Sequence, residues 1–329
     1  MTRRFLITMC CLALVCLAAG FAAAQAPASS PKTPPASQPD LQGTWSFATI
    51  TPLERPAELA GKEFFTEKEA AEYDNEIRKR NNMDRRDGTA EADVGRAYND
   101  FWWDRGTRVV KTRRTSLVID PPDGKIPPLT AAGRERQAER QAANRGHEFD
   151  GPENRPLAER CIIWASTGPP MLPTAYNNNI RIVQGPGNVA ILIEMIHDAR
   201  IIPLDGRPHL SKNVRQWMGD SRGRWEGDTL VVETTNFTDK TEFRGSSENL
   251  RVVERFTRTA EDAIMYKFTA EDSSTWTRAW SAELPMKKTI GPLFEHACHE
   301  GNYGLYNSLA GARAQEKKAT AEALKKQPR

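Results

Sequence analysis

The pattern of apolar and polar positions changes character near Asn178. From there the chain runs in short apolar stretches rich in Val, Ile, Thr, Phe and Trp, which predicts antiparallel strands near 179–184, 188–197, 199–204, 229–236, 250–258, 262–271 and 274–281. Turn chemistry separates them: Gly185-Pro186-Gly187, Asp205-Gly206, Gly227-Asp228 and Glu261-Asp262. A further strand over 115–120 precedes the turn Asp123-Gly124. No helical stretch long enough for a parallel crossover lies between these strands, which disfavours doubly wound folds and their nucleotide sites.

Three polar segments predict helices outside the core. Residues 65–81 have Thr66 as N-cap, acids early and bases late, matching the helix dipole. Residues 130–145 carry almost no apolar face, and 303–326 is polar and Ala-rich, leading into a C-terminal tail at Arg329. The architecture expected over 40–302 is mainly β: a single antiparallel barrel or a strongly curved sheet, with peripheral helices.

Residues 1–24 predict a secretory signal, because Arg3 and Arg4 precede the apolar run 5–20 and Ala22-Ala23-Ala24 supplies small residues for cleavage. An uncleaved anchor has the right length but not that ending. A Pro/Ala/Ser-rich tether over 25–39 follows, and the mature chain is expected in the periplasm or outside the cell with no stable membrane insertion. Cys10, Cys11 and Cys16 leave with the signal. Cys161 and Cys298 then remain where disulfides form, as a bridge or as two buried thiols. A formal charge of +3, with 27% charged and 39% hydrophobic residues, fits a chain that buries a core and excludes a dedicated nucleic-acid binder.

Two stretches resemble known families. Gly43-Thr44-Trp45, at the start of a β-rich chain, resembles the opening strand of calycin barrels such as lipocalins, which implies a closed barrel. The run 219–234, containing GRWEGDTLVVET, resembles a large family of secreted bacterial proteins of unknown function. RTSLVIDPPDGKIPPLT, HDARIIPLDGRPH and ACHEGNYGL agree with it. That resemblance implies secretion and one β-rich domain, and it carries no catalytic assignment.

Four of the five histidines fall in two clusters, His197 with His209 and His296 with His299. A regular strand over 188–197 puts Val189, Ile191, Ile193, Met195 and His197 on one face, so His197 is expected to point inward, with Glu194 on the opposite face. It is then either a hydrogen-bonded core residue or a proton carrier whose carboxylate partner is Asp220, Glu226 or Glu300. In Glu295-His296-Ala297-Cys298-His299-Glu300, the last two residues either anchor the chain or form an acid/base pair.

Neither paired CxxC nor HExxH is present, and no Gly-x-Ser-x-Gly elbow, so no metal, cofactor or hydrolase triad is expected. The candidate catalytic set is His197, His299, Glu300 and Asp220. Ligand contacts are expected from Arg222, Trp225, His209 and Tyr303. The tryptophans at 102, 103, 164, 217, 225, 276 and 280 serve as core and barrel-end plugs or as stacking surfaces.

Two functions follow, with a small-molecule ligand as the expected partner. One is metal-independent acid/base catalysis of lyase, isomerase or cyclase type. The other is a non-catalytic lipocalin-like ligand-binding or envelope protein. Oligomeric state has no signature in the pattern.

Overall fold

The computed structural model describes residues 38–95, 99–241 and 243–326, so the expected signal and nearly all of the tether lie outside the described residues. Ten strands form one sheet: β1 (Gly43–Ser46), β2 (Val118–Asp120), β3 (Asn179–Gly185), β4 (Asn188–Ile193), β5 (Ala199–Pro203), β6 (Asp220–Glu226), β7 (Thr229–Thr235), β8 (Arg251–Ala260), β9 (Ala263–Glu271) and β10 (Trp280–Lys288). Their order is β5-β4-β3-β1-β10-β9-β8-β7-β6, with the short β2 pairing onto β10. Nine strands thus form a nearly closed antiparallel meander.

Every bonded pair along that path is antiparallel. With an odd number of strands, one neighbouring pair must run the same way, and this falls on β5 and β6. Among the described residues, no ladder joins them. A parallel pair needs a long crossover, and the segment 204–219 supplies it. At one end the two strands approach through Gly223: a Cβ there would lie 2.6 Å from Leu204 Cδ2 and 2.8 Å from Ile202 Cγ2. At the other end they are bridged by side chains, with Arg200 Nη2 donating to Ser221 Oγ at 3.3 Å.

One end of the barrel is closed by three two-residue hairpins, Pro186-Gly187, Gly227-Asp228 and Glu261-Asp262. Gly227, at φ +57, supplies the left-handed conformation that such tight turns demand. The opposite end carries the long connections β4–β5, β7–β8 and β9–β10, and loops of that kind are where binding residues collect. The GRWEGDTLVVET string is therefore accounted for by the β6–β7 hairpin. β6 itself was not among the expected strands.

The lumen is packed. Trp45, Ile180, Ile191, Ile202, Leu230, Val232, Phe256, Ile264, Tyr266 and Trp280 all face inward with no exposed surface, which leaves no water-sized void beside them. Among these apolar chains sits an ion pair. Arg200 Nη1 donates to Glu254 Oε1 at 3.0 Å and Nη2 to Oε2, while Tyr266 Oη donates to Glu254 Oε1 at 2.8 Å. Met171 N–H in turn donates to Tyr266 Oη at 3.0 Å and ties a plugging loop to the core.

The helices are peripheral, as expected. α1 (Glu67–Asn81) begins with a capping box between Thr66 and Glu69, and α2 (Ala90–Gly95) follows it. α3 (Ala131–Asn144) is capped by Thr130 and buries only Gly133. α4 (Tyr303–Lys326) buries no residue. Among the described residues, no helix is long and apolar enough to cross a membrane.

Two strand boundaries differ from expectation. β4 stops at Ile193, because Glu194 turns helical and Ile196 and His197 take positive φ. The last strand spans 280–288 rather than 274–281, because Asp272 gathers Ser274 and Thr275 into a turn.

Candidate functional site

The early end of β4 moves His197. Its side chain is exposed instead of facing the lumen, and Nδ1 lies 3.0 Å from the His296 carbonyl oxygen. Glu194, expected on the outer face, is buried and accepts from Asn179 Nδ2 at 2.7 Å and from Phe294 N–H at 3.2 Å. The imidazole of His296 is held below its ordinary pKa, by burial first and then by the neighbouring His197. The histidines thus pair across the expected clusters, 197 with 296.

His209 is brought to Asp220. Its Nδ1 lies 3.0 Å from Asp220 Oδ2, and its Nε2 lies 3.7 Å from Glu233 Oε1. Asp220 also accepts from Leu210 N–H at 3.0 Å and from Arg222 Nη1 at 2.6 Å. Glu233 is held below the usual carboxylate range by its bond from Arg251, despite partial burial. Asp220, Arg222, Glu233 and Arg251 lie on the outward-facing side of β6, β7 and β8, so this constellation is a ladder of charges across neighbouring strands.

Other expected contacts lie apart. His299 and Glu300 are exposed in the turn after Cys298, and Tyr303 is exposed at the start of α4. Trp225 is half-buried against the core. Cys161 and Cys298 form the bridge that pins this turn to the segment 153–172. A disulfide favours an oxidising, non-cytoplasmic compartment. Among the described residues, no group of three or more His, Cys, Asp or Glu is arranged to hold a metal ion.

Open space lies outside the lumen, at the loop-bearing end. One wall is the segment 153–172. Thr167 shapes it, accepting from Trp164 N–H and donating back to the Trp164 carbonyl, while Leu172 N–H closes a loop onto Ala165. The other wall comes from the β5–β6 crossover and the β7–β8 connection. Thr241 Oγ1 donates to the Trp217 carbonyl at 2.7 Å, and the Phe243 ring stacks on Trp280 at 5.8 Å.

Between these walls is a cleft of about 1030 Å³, lined by Leu157, Ile163, Trp164, Leu172, Trp217 and Phe243 together with charged groups. A compartment of about 510 Å³ shares Ala165, Leu172 and Arg244 with it. A third cavity of about 630 Å³ opens at the β5–β6 seam beside Trp217, and is lined by Asp198, Arg200, Asp220 and Ser221. Burial raises the Asp198 carboxyl above its ordinary pKa.

No family model, curated protein or solved structure matches this chain. Chemistry must be read from the cleft itself. No histidine lines its two compartments, and none of the expected catalytic residues does. Their walls offer tryptophan faces, proline and aliphatic surface, and cations, which are groups that bind. Sequence reasoning named Trp164 and Trp217 only within a roll of tryptophans and missed Phe243 and Arg244. Nothing local in the sequence marks them; the pair Arg244-Gly245 stands out only in the structure, as two consecutive residues at positive φ in the β7–β8 connection.

Proposed function

We propose that this is an exported β-barrel protein that binds a small organic ligand in the cleft at the loop-bearing end of its barrel. The single observation that carries the proposal is the cleft: about 1030 Å³, largely apolar, with Trp164, Trp217 and Phe243 among its lining residues. Ligand sites in proteins have this size and character, an apolar concavity with a few charged groups that fix orientation. The packed lumen supports a ligand held outside the barrel, unlike a carrier of lipocalin type, which holds it within. Export is supported by Arg3, Arg4 and the apolar run behind them, and by the bridge between Cys161 and Cys298.

The test is native mass spectrometry of the mature protein isolated from a periplasmic extract, alongside Trp217→Ala. A co-purifying organic mass that the variant loses is the expected result. A bare chain mass for both proteins, with no saturable quenching of tryptophan fluorescence across a metabolite library, overturns the proposal.

A second reading, acid/base catalysis, draws on the seam cavity, where Asp198 has its pKa raised by burial beside the Asp220–His209 pair. Buried carboxyls with raised pKa are suited to proton transfer near neutral pH. If Asp198→Asn leaves the turnover of an identified substrate unchanged, that reading fails.

A further inference from the structure

We infer that the ligand is an anion: an elongated organic molecule with a flat apolar body in the large compartment and a carboxylate, sulfonate or phosphate head in the small one. This rests on the cleft being a ligand site and adds the charge and direction of the ligand.

Among the described residues, the small compartment is lined by three cations, Arg80, Arg105 and Arg244, and by no carboxylate. Arg105 lies over the Trp103 ring at 4.1 Å, burial lowers its pKa, and its Nε is buried without an acceptor. A buried guanidinium N–H with no acceptor is costly. An anionic oxygen supplies the missing partner in the charge-assisted geometry that arginine favours.

The large compartment leans the same way. It is lined by Arg155, Arg160, Lys240 and Arg244 against Glu148 and Glu153. Arg155 is committed to Glu159 and to the Phe149 ring. Among the described residues, Arg160, Lys240 and Arg244 make no ion pair. The barrel's outer face behaves differently, with Arg222, Arg224, Arg251 and Arg255 all paired to carboxylates.

Arg244 joins the two spaces, since it lines both. Its backbone sits at φ +53, a region that glycine occupies freely and a side chain does not. A strained residue with an unpaired charge at the junction of two compartments fits a role in the site. The apolar body is then set by Trp164, Trp217 and Phe243, whose rings offer flat surface.

The experiment uses two fluorescent probes with one ring skeleton, 1-anilinonaphthalene-8-sulfonate and its uncharged counterpart N-phenyl-1-naphthylamine, titrated into the full disulfide-bonded protein. The sulfonate is expected to bind at least about tenfold more tightly, since a charge-assisted pair adds that much. Raising salt from about 0.05 to 0.5 M should erode the difference. Arg244→Gly and Arg105→Gln should each remove most of the preference without changing the neutral probe, and Trp217→Ala should weaken both probes. Arg244→Gly puts glycine where the backbone wants it, so its thermal midpoint should stay at or above that of the parent. If both probes bind equally, or the arginine variants keep the preference, the anion inference is overturned while the ligand site stands. If neither probe binds, or Trp217→Ala changes neither, the ligand reading of the cleft falls with it.

Discussion

The ion pair in the barrel offers the sharpest test of the packed lumen on which the placement of the site depends. Arg200 and Glu254 have side-chain exposures of 3% and 0%. Among the described residues, Arg200→Met leaves the Glu254 carboxylate with Tyr266 as its one donor, both side chains having no exposed surface. Removing one partner of such a pair costs about 3–5 kcal/mol, because a buried charge is left uncompensated. Replacing both, as in Arg200→Met with Glu254→Leu, removes the charge as well. What remains unsatisfied is the Tyr266 hydroxyl proton, which costs about 1–3 kcal/mol and is offset in part because apolar side chains in place of a buried ion pair are neutral or stabilising. The double variant should therefore lie within about 2 kcal/mol of the parent and above the single variant. Urea unfolding, followed by tryptophan fluorescence and far-ultraviolet circular dichroism, gives the three stabilities from midpoints at constant slope. If Arg200→Met proves no less stable than the double variant, water reaches Glu254. The lumen is then not closed, and the argument for an external site collapses.

Three other perturbations follow from named contacts. The bridge between Cys161 and Cys298 spans 137 residues, for which chain entropy predicts about 4–5 kcal/mol; Cys161→Ala with Cys298→Ala should lower the urea midpoint accordingly, and unchanged midpoints would show that the bridge constrains nothing. Gly223→Val places a side chain within 3 Å of Ile202 and Leu204, so overpacking should cost about 1–3 kcal/mol, and a thermal midpoint equal to the parent's would mean that the seam is loose. Asp272 is buried, which opposes its charge, but hydroxyls of Thr275, Ser274 and Ser247 and the Ser247 N–H outweigh that and hold its carboxyl below the ordinary 3.8. Its folded pKa is lowered, so its contribution is full above about pH 4 and is lost as pH falls through the folded value. Asp272→Asn should accordingly lose stability at neutral pH and show a shallower acid limb in thermal melts at stepped pH.

What the sequence disclosed, and what it hid, divides along physical lines. Strands β3, β7, β8 and β9 were legible because alternation is imposed wherever one face is buried, and the helix cap at Thr66 because capping is local. β6 was hidden: Asp220, Arg222, Arg224 and Glu226 make ion pairs on its outer face, while Gly223 lies at the seam instead of a large apolar side chain. The turn at Glu194 was hidden as well, because a side chain that finds Asn179 and Phe294 across the fold can draw its backbone out of a strand whose apolar pattern continues to Met195. Candidate chemistry suffered most. Histidines draw the eye in a sequence, yet these sit outside the cleft, whereas Arg105, Arg244 and Phe243 gain meaning only from one another.

The strand count explains why the cleft lies where it does. Nine antiparallel strands leave β5 and β6 running in the same direction, so the chain must travel the length of the barrel between them. That journey ends at the loop-bearing end with Trp217, immediately before β6, lining both the cleft and the seam cavity. An even-stranded meander would need only a tight hairpin at this point and would deliver no such wall. The lumen is filled by aromatic rings and by the Arg200–Glu254 ion pair. The topology that closes the barrel interior is thus the same one that carries a tryptophan to its rim, opposite the disulfide-anchored segment 153–172.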